Sequence, residues 1–349
     1  MEILTTLFYL SGGLFLGFTL GANNMSSLFG TAIGTRMVSF KKAAFLACIF
    51  VLAGAVFGGK GTSQTLESLG QITTMAGAFM TAFTAALTLF MMTKTGIPVS
   101  ATQAIVGSIL GWSLYAHADV NMPVLMKIVS AWFFSPLLAA LFAFVLMFLL
   151  RSYLKVRPVR LLYQDAYTRL GLIVVGSFSA YAFGANNIAN VMAPFLSVMS
   201  LGPLNFGFLT LSSAQQLFFI GSLAIGIGII TYSKSAIKTV GNGLLKMSPM
   251  EAFVVVSAHG LVLVLFSSVA LQHFLISLHI PSIPLVPISS AGAVVGAVIG
   301  VSLLKRGEGV SLRELYRVVK GWVITPLIAM GLCYFMLFFM ENVFAQRVF

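Results

Sequence analysis

Charge is scarce in this sequence: 8% of its 349 residues are Asp, Glu, Lys or Arg, whereas 59% are hydrophobic. A soluble globular domain carries about 25% charged residues. The shortfall excludes a surface that is mostly in contact with water, so most of the surface is expected to face lipid. Apolar stretches recur along the chain, and many reach the roughly 20 residues that cross a bilayer. The sequence therefore predicts a polytopic membrane protein.

Cysteine and histidine are also few. The two cysteines, Cys48 and Cys333, each lie inside an apolar stretch, which argues against a disulfide framework. No Cys/His spacing indicates a metal site. His259 is isolated in its apolar stretch and is expected to be a packed or helix-bonding histidine. Because no catalytic cluster of His, Asp and Glu lies in the apolar stretches, the chain is not expected to be an enzyme, and no cofactor is predicted.

The apolar runs predict ten membrane crossings, five in each half. They fall at about 3–34, 43–59, 73–93, 97–115 and 122–150, and then at about 170–202, 208–231, 250–272, 283–303 and 322–344. A missed pair of short crossings or a re-entrant hairpin is an alternative. The predicted fold class is therefore an all-α membrane protein, a polytopic helical bundle of about 10–12 transmembrane segments with broken helices at its centre.

The positive charges predict the orientation of this bundle. If the N-terminus lies outside, only Lys60, Lys127 and Arg347 of the 20 Lys and Arg residues fall outside. Cations concentrate in the inner loops of membrane proteins, so we expect a multi-pass protein of the cell membrane with both termini outside. The same placement argues against nucleic-acid binding, although the net charge is +12.

Three sequence blocks recur in the same order in both halves. Gly21-Ala22-Asn23-Asn24 returns 163 residues later at 184–187, residues 98–107 return 189 residues later at 287–296, and residues 132–137 return 190 residues later at 322–327. We therefore predict a first repeat at 1–150, a basic cytoplasmic linker at 151–169 and a second repeat at 170–349. Since five crossings is an odd number, the second repeat is expected to be inverted. Inverted repeats are typical of secondary transporters, and we expect the two repeats to rock around a central site.

Asparagines within the apolar runs are candidate cation ligands. An unpaired amide is costly to bury, and the neighbouring glycines are expected to let each helix unwind. Freed carbonyls and amide oxygens can hold a small cation. The alternative is that these amides only join helices. The residues concerned are Asn23, Asn24, Asn186, Asn187 and Asn190.

A second polar group follows Pro98 and Pro287. Hydroxyls in the first turn of a helix, supported by the helix dipole, form a neutral cradle for an anion. Single Ser and Thr residues are also common packing groups between membrane helices. The group consists of Ser100, Thr102, Gln103, Ser289 and Ser290.

At these blocks the chain resembles the inorganic phosphate transporter (PiT) family over nearly its whole length. The family hallmarks are a Gly-Ala-Asn-Asp motif in each half, a Pro-x-Ser-Thr-Thr-His stretch, and later Trp and Ser-Pro elements. The resemblance implies sodium- or proton-coupled phosphate uptake, with ligands from these motifs and with Na⁺ as a candidate coupling ion. The implied cation positions are Asn23, Asn24, Ser27, Asn186, Asn187 and Asn190, and the implied anion positions are Ser100, Ala101 through its backbone, Thr102, Gln103, Ser289 and Ser290.

The chain departs from the family pattern at its titratable positions. The motif aspartate is Asn24 in the first half and Asn187 in the second, the motif asparagine three residues on is Ser27, and the motif histidine is Gln103. Phosphate keeps a proton near neutral pH that a carboxylate accepts, whereas sulfate only accepts hydrogen bonds and is repelled by a carboxylate. The predicted substrate is therefore phosphate, by resemblance, with sulfate or a related oxyanion as the alternative.

Two other functional classes stay open on the sequence alone, an anion channel and a non-transporting membrane scaffold. A channel gives ohmic current without coupling to a gradient, and a scaffold gives no flux. The expected partners are the inorganic anion and the lipid bilayer, and a homodimer is carried as a hypothesis.

Overall fold

The computed structural model is a bundle of helices. It describes residues 2–94, 99–156, 160–205, 207, 210–233, 247–305 and 312–349. In these ranges the only strands are β1 (Leu204–Asn205) and β2 (Thr210–Leu211), which pair antiparallel. The predicted all-α membrane fold class is confirmed.

The helices follow one another in a similar order in both halves. Those of the first half are α1 (Glu2–Met25), a π-helical turn (Ser26–Gly30), α2 (Thr31–Gly34), α3 (Phe40–Gly58), α4 (Lys60–Gly70), α5 (Met75–Lys94), α6 (Ala101–Tyr115) and α7 (Met122–Val156). Those of the second half are α8 (Leu161–Leu196), α9 (Ser213–Thr231), α10 (Pro249–Leu265), α11 (Val269–Ser277), α12 (Ser290–Leu303) and α13 (Leu312–Asn342).

Helix length separates full crossings from shorter helices. Within the described ranges seven helices are long and apolar enough to cross a membrane, and α10 with α11, bent by 69° between them, forms an eighth candidate. At the predicted segments 97–115 and 283–303, the chain instead has α6 with 15 residues and α12 with 14, each preceded by extended backbone. Helices this short do not cover the roughly 20 residues of a crossing. The broken elements of the bundle therefore lie at the starts of α6 and α12.

Contacts between helices are exchanged between the two halves. α3 packs along α8 while α9 packs along α1, and α6 packs along α13 while α12 packs along α7. α5 contacts α1 in the way that α10 contacts α8. If each helix is exchanged for its counterpart in the other half, every one of these contacts becomes another contact of the same set. The packing of the halves is thus equivalent, and the inversion of one half relative to the other stays a prediction.

Glycines sit at the closest of these helix contacts. A Cβ on Gly21 would lie 2.0 Å from the Ile225 backbone oxygen, and a Cβ on Gly184 would lie 2.1 Å from that of Val51. The same relation joins α6 to α13, at Gly107 against Pro326, and α12 to α7, at Gly296 against Pro136. Only glycine permits such an approach of two backbones.

The helices remain continuous through both Gly-Ala-Asn-Asn blocks, so the prediction that they unwind there is wrong. α1 and α8 run through Gly21 and Gly184 without interruption. Within these continuous helices, Asn24 and Asn187 each donate a side-chain hydrogen bond to the carbonyl four residues earlier. The irregularity of the first half comes one residue after α1, at the π-helical turn.

The basic region between the halves is largely helical. α7 extends to Val156 and α8 begins at Leu161, so most of the predicted linker 151–169 belongs to these two helices. Pro98, predicted to precede a helix start, lies outside the described residues.

Candidate functional site

The first turn of α6, the middle of α8 and the extended chain before α12 meet in the interior. The Thr102 hydroxyl donates to the Ile288 carbonyl oxygen at 3.1 Å. The Asn190 side-chain amide in turn donates to the Thr102 hydroxyl oxygen at 3.1 Å. Thr102 is 1% exposed and Asn190 is 0% exposed. This buried pair of hydrogen bonds joins a helix of the first half to two elements of the second.

Asn186 holds the extended chain before α12 in place. Its Nδ2 donates to the Val286 carbonyl at 3.1 Å, and its Oδ1 accepts from the Ile288 N–H at 2.9 Å. Extended backbone has no internal partners, so buried N–H and C=O groups there need partners from outside. Asn186 supplies both at once. Its role as a cation ligand stays a prediction, since both ends of its amide are engaged.

Asn24 and Asn187 are placed alike in the two halves. Asn24 Nδ2 donates to the Leu20 carbonyl at 3.0 Å, and Asn187 Nδ2 donates to the Phe183 carbonyl at 3.2 Å. Because each amide nitrogen is bonded to its own helix, the amide oxygen is the end that remains for another group. In the second half this oxygen accepts from Asn190 Nδ2 at 3.1 Å.

The first-half asparagines lie beside the π-helical turn. Asn23, Asn24 and Ser27 are half-buried, and within the described ranges the side chains of Asn23 and Ser27 form no hydrogen bond. The turn contacts α8, α10 and α12, which brings this block next to the second half. A π-helical turn breaks the regular pattern of backbone hydrogen bonds and is frequent at functional sites.

The start of α6 presents polar atoms that lack protein partners. Ser100 is the N-cap, but its hydroxyl forms no capping bond; it is 4% exposed and has no partner among the described residues. Gln103 is 0% exposed, and neither end of its amide has a partner there. Unpaired buried polar groups cost about 1–3 kcal/mol each. Together with the free N–H groups of a helix start, they are the kind of groups that can hold an anion, and their role as anion ligands stays a prediction.

The start of α12 uses its polar groups differently. Ser289 caps the helix by accepting from the Gly292 N–H at 3.1 Å. The Ser290 hydroxyl lies 2.8 Å from His259 Nε2, and the Ser179 hydroxyl lies 2.7 Å from His259 Nδ1. His259 therefore links α8, α10 and α12, which confirms the expected helix-bonding histidine.

The candidate site is built of neutral groups, and apart from the half-buried Asn23, Asn24 and Ser27 these groups are buried. Ser100, Ala101, Thr102, Gln103, Asn186, Asn187, Asn190, Ser289 and Ser290 are each between 0 and 7% exposed. Nowhere in the described ranges do three His, Cys, Asp or Glu side chains come together in a way that suits a metal ion. The hydroxyl and amide donors can therefore surround an anion without a fixed negative charge beside it.

Two polar groups near this region were not predicted as ligands. The indole Nε1 of Trp132 and the hydroxyl of Ser135, both in α7, are buried without a partner in the described part of the chain. Both belong to the repeated block at 132–137. The repeat marked these positions, but it did not distinguish a ligand from a packing residue.

Comparison with known proteins places this architecture. The model of the phosphate transporter family matches residues 20–333. The sulfate permease CysP of Bacillus subtilis is 28% identical over 339 residues, covering 96% of this chain and 86% of that protein. A Haemophilus influenzae protein with a provisional name as a phosphate permease is 24% identical over 400 residues, covering 90% of this chain and 91% of that protein.

A solved structure has the same fold. It is described as the sodium-dependent phosphate transporter, and it superposes with a TM-score of 0.79 at 21% identity, covering 98% of this chain and 100% of that chain. Since the family model spans most of the sequence and includes both asparagine blocks and both short helices, the chain belongs to the phosphate transporter family.

Proposed function

We propose that this chain imports a small inorganic oxyanion by cation-coupled secondary transport, with the anion held at the start of α6. The observation that carries the proposal is the set of buried, unpartnered polar groups there: the Ser100 hydroxyl and both ends of the Gln103 amide. Since unpaired buried groups are costly, their retention is best explained by a ligand that pairs with them.

Phosphate is the substrate that the family indicates, and sulfate is the substrate that the neutral site favours. Asn24 and Asn187 replace the motif carboxylates, and an amide neither removes the proton of phosphate nor repels sulfate. The full-length similarity to a sulfate permease supports the same choice. Sulfate is therefore the second candidate substrate. The observation that favours it is the absence of carboxylates among the described site residues.

Energetics require that import be coupled. Moving one charge through 100 mV costs about 2.3 kcal/mol, so a dianion entering a negative interior costs roughly 4.6 kcal/mol before any concentration gradient. More than two cations must accompany each dianion if the membrane potential is to drive import. We infer sodium as the coupling ion, because amide oxygens can coordinate it while a proton relay through side chains would need titratable groups.

Two amide oxygens support a cation position, and one of them, that of Asn190, lies beside the proposed anion cradle. Asn190 Oδ1 is buried without a partner in the described part of the chain. Asn24 keeps its oxygen as the outward end of an amide whose nitrogen is bonded to Leu20. Ser27 adds a hydroxyl beside the π-helical turn.

The test is flux into liposomes that contain the purified chain. Labelled sulfate and labelled phosphate are offered with and without an inward sodium gradient, and each is competed with the other unlabelled anion. We expect concentrative uptake that requires the gradient. Phosphate uptake untouched by excess sulfate would exclude the sulfate version, ohmic flux without coupling would indicate a channel, and no flux of either anion would indicate a scaffold.

Leucine variants test the site itself. Asn24→Leu and Asn187→Leu should each abolish uptake while the protein stays in the membrane, because both remove an amide oxygen from the interior. Asn342→Leu is the matched control, since Asn342 also donates to the carbonyl four residues earlier, at 2.8 Å, but is exposed at the end of α13. Full activity of both site variants would refute the assignment.

A further inference from the structure

An apolar groove lies between the end of α7, the start of α8 and the start of α10. It encloses about 220 Å³ and is lined by Leu150, Tyr153 and Leu154 of α7, Tyr167 of α8, and Met250 and Phe253 of α10. The volume exceeds by several times the roughly 30 Å³ of a water molecule. Its apolar lining gives an ion nothing to bind.

The two other lining residues of the groove, Gln164 and Thr168, are hydrogen-bonded within the protein. The Thr168 hydroxyl donates to the Gln164 carbonyl at 2.7 Å, and Gln164 Nε2 donates to the Met250 sulfur at 3.4 Å. They are therefore not waiting for a polar ligand, and an occupant of the groove must be largely hydrocarbon.

Exposed tyrosines mark the depth of the groove. Tyr153, Tyr163 and Tyr167 are 57%, 57% and 65% exposed. Tyrosine is enriched where membrane helices pass from hydrocarbon to headgroups. We therefore expect the groove mouth to lie at headgroup level, with its apolar wall facing the acyl chains.

Positive charge without a counter-ion borders this mouth. Arg160 precedes α8 and lies on the helical face of Gln164 and Tyr167, one turn beyond the groove, where it is exposed. Lys155, also exposed, lies near the end of α7. Neither forms an ion pair with a described residue.

The carboxylates nearby are occupied. Asp165 pairs with Arg169 at 3.3 Å. Glu251, next to the lining residue Met250, is buried and pairs with Lys305. Among the described residues at the mouth, Arg160 and Lys155 are therefore exposed cations without an ion pair, and an anion would meet them there.

We propose that this groove is a binding site for an anionic phospholipid. An acyl chain fills the space between Leu150, Leu154 and Phe253, and the headgroup phosphate binds Arg160 and Lys155. The positive-inside prediction places these cations at the inner leaflet, where basic pockets between transmembrane helices bind anionic headgroups. Neither the transported anion nor its site takes part.

The test is competitive lipid retention by the purified full-length chain in detergent. Equal amounts of phosphatidylglycerol and phosphatidylcholine are offered, and the bound lipids are counted by native mass spectrometry. Phosphatidylglycerol should be retained in preference. Arg160→Gln should weaken its retention about fivefold, from the loss of one cation near the phosphate. Leu154→Trp should reduce retention of both lipids by filling the groove.

Lys127→Gln is the matched control, because Lys127 is a cation at the opposite end of α7 and should leave retention unchanged. Equal retention of the two lipids, or an Arg160→Gln variant that behaves like Lys127→Gln, would overturn the proposal. Displacement of the lipid by inorganic phosphate would point to a free-anion site, and a dimer mass lost in Leu154→Trp would point to a second copy in the groove. Either result would also overturn it. Since no flux is measured, failure here is distinct from failure of the proposed transport function.

Discussion

The starts of α6 and α12 occupy equivalent places in the two halves, yet their polar groups differ in use. At α12 the Ser289 hydroxyl caps the helix and the Ser290 hydroxyl contacts His259. At α6 the Ser100 hydroxyl and the Gln103 amide have no partner among the described residues. The second half therefore uses both serine hydroxyls within the bundle, whereas the first half bonds through Thr102 and leaves the Ser100 hydroxyl and the Gln103 amide for the ligand that we propose.

The two asparagine blocks differ in the same direction, because the second-half residue Asn186 is bonded within the described part of the protein and its first-half counterpart is not. Asn186 joins α8 to the backbone before α12 through both ends of its amide. Asn23, its counterpart, is half-buried, and its side chain has no hydrogen bond in the described ranges. Identical residues in the two blocks therefore do not form identical hydrogen bonds.

The largest effect is expected where the halves are alike, at the glycine contacts. Gly21→Ala and Gly184→Ala should each lower the stability by at least about 4 kcal/mol, because two helix backbones would have to separate. Gly331→Ala is the control: nothing lies within 4 Å of its added Cβ, so alanine should be neutral or mildly stabilising in α13. Thermal unfolding in detergent measures all three. If only one of Gly21→Ala and Gly184→Ala lowered the stability, the close helix contacts of the two halves would not be equivalent.

Asn186→Leu should have the next largest effect, and it should not be matched by Asn23→Leu. The first leaves the Ile288 N–H and the Val286 carbonyl buried without partners, at about 2–4 kcal/mol. The second removes no hydrogen bond within the described ranges and should leave the melting temperature nearly unchanged. Comparable losses in the two variants would mean that Asn23 forms an equivalent clamp.

Alanine at the two N-caps should separate stability from transport. Ser289→Ala removes a capping bond and should cost about 1 kcal/mol of stability. Ser100→Ala removes no bond to the described protein, so its stability should hold while the KM for the anion rises about fivefold, as for one lost hydrogen bond. Unfolding curves and uptake kinetics are measured on both variants. The reverse pattern would move the anion cradle to α12.

The smallest effect is expected at α4, whose counterpart region in the second half lies largely outside the described residues. Burial raises the pKa of the Glu67 carboxyl above its usual value. A raised folded-state pKa favours the protonated form, so the stability penalty is fully present at high pH and disappears as pH falls through that pKa. Glu67→Gln should therefore be slightly more stable than the wild type at alkaline pH and equal to it at acidic pH. A stability gain at acidic pH only would contradict the burial argument.

Hydropathy and the internal repeat predicted much of this fold, because both follow from residue patterns that are visible in the sequence. The long apolar runs become helices, and the block at 98–107 predicted the polar start of α6. The continuity of α8 through Gly184 was not predicted, because this glycine is required by the close approach of Val51 in a distant helix and not by its sequence neighbours. The amide clamp of Asn186 was missed for the same reason. Which asparagines and hydroxyls bind ions stays a prediction.

The glycine contacts have a mechanical consequence. Gly21 allows α1 to pack closely on α9, Gly184 does the same for α8 and α3, and Gly107 for α6 and α13. Each of these close backbone contacts joins one half of the chain to the other. These contacts argue against the prediction that the two repeats rock as separate rigid blocks. We expect instead that each moving body of a transport cycle contains helices of both halves, so that the chain opens along a boundary other than the one between its two repeats.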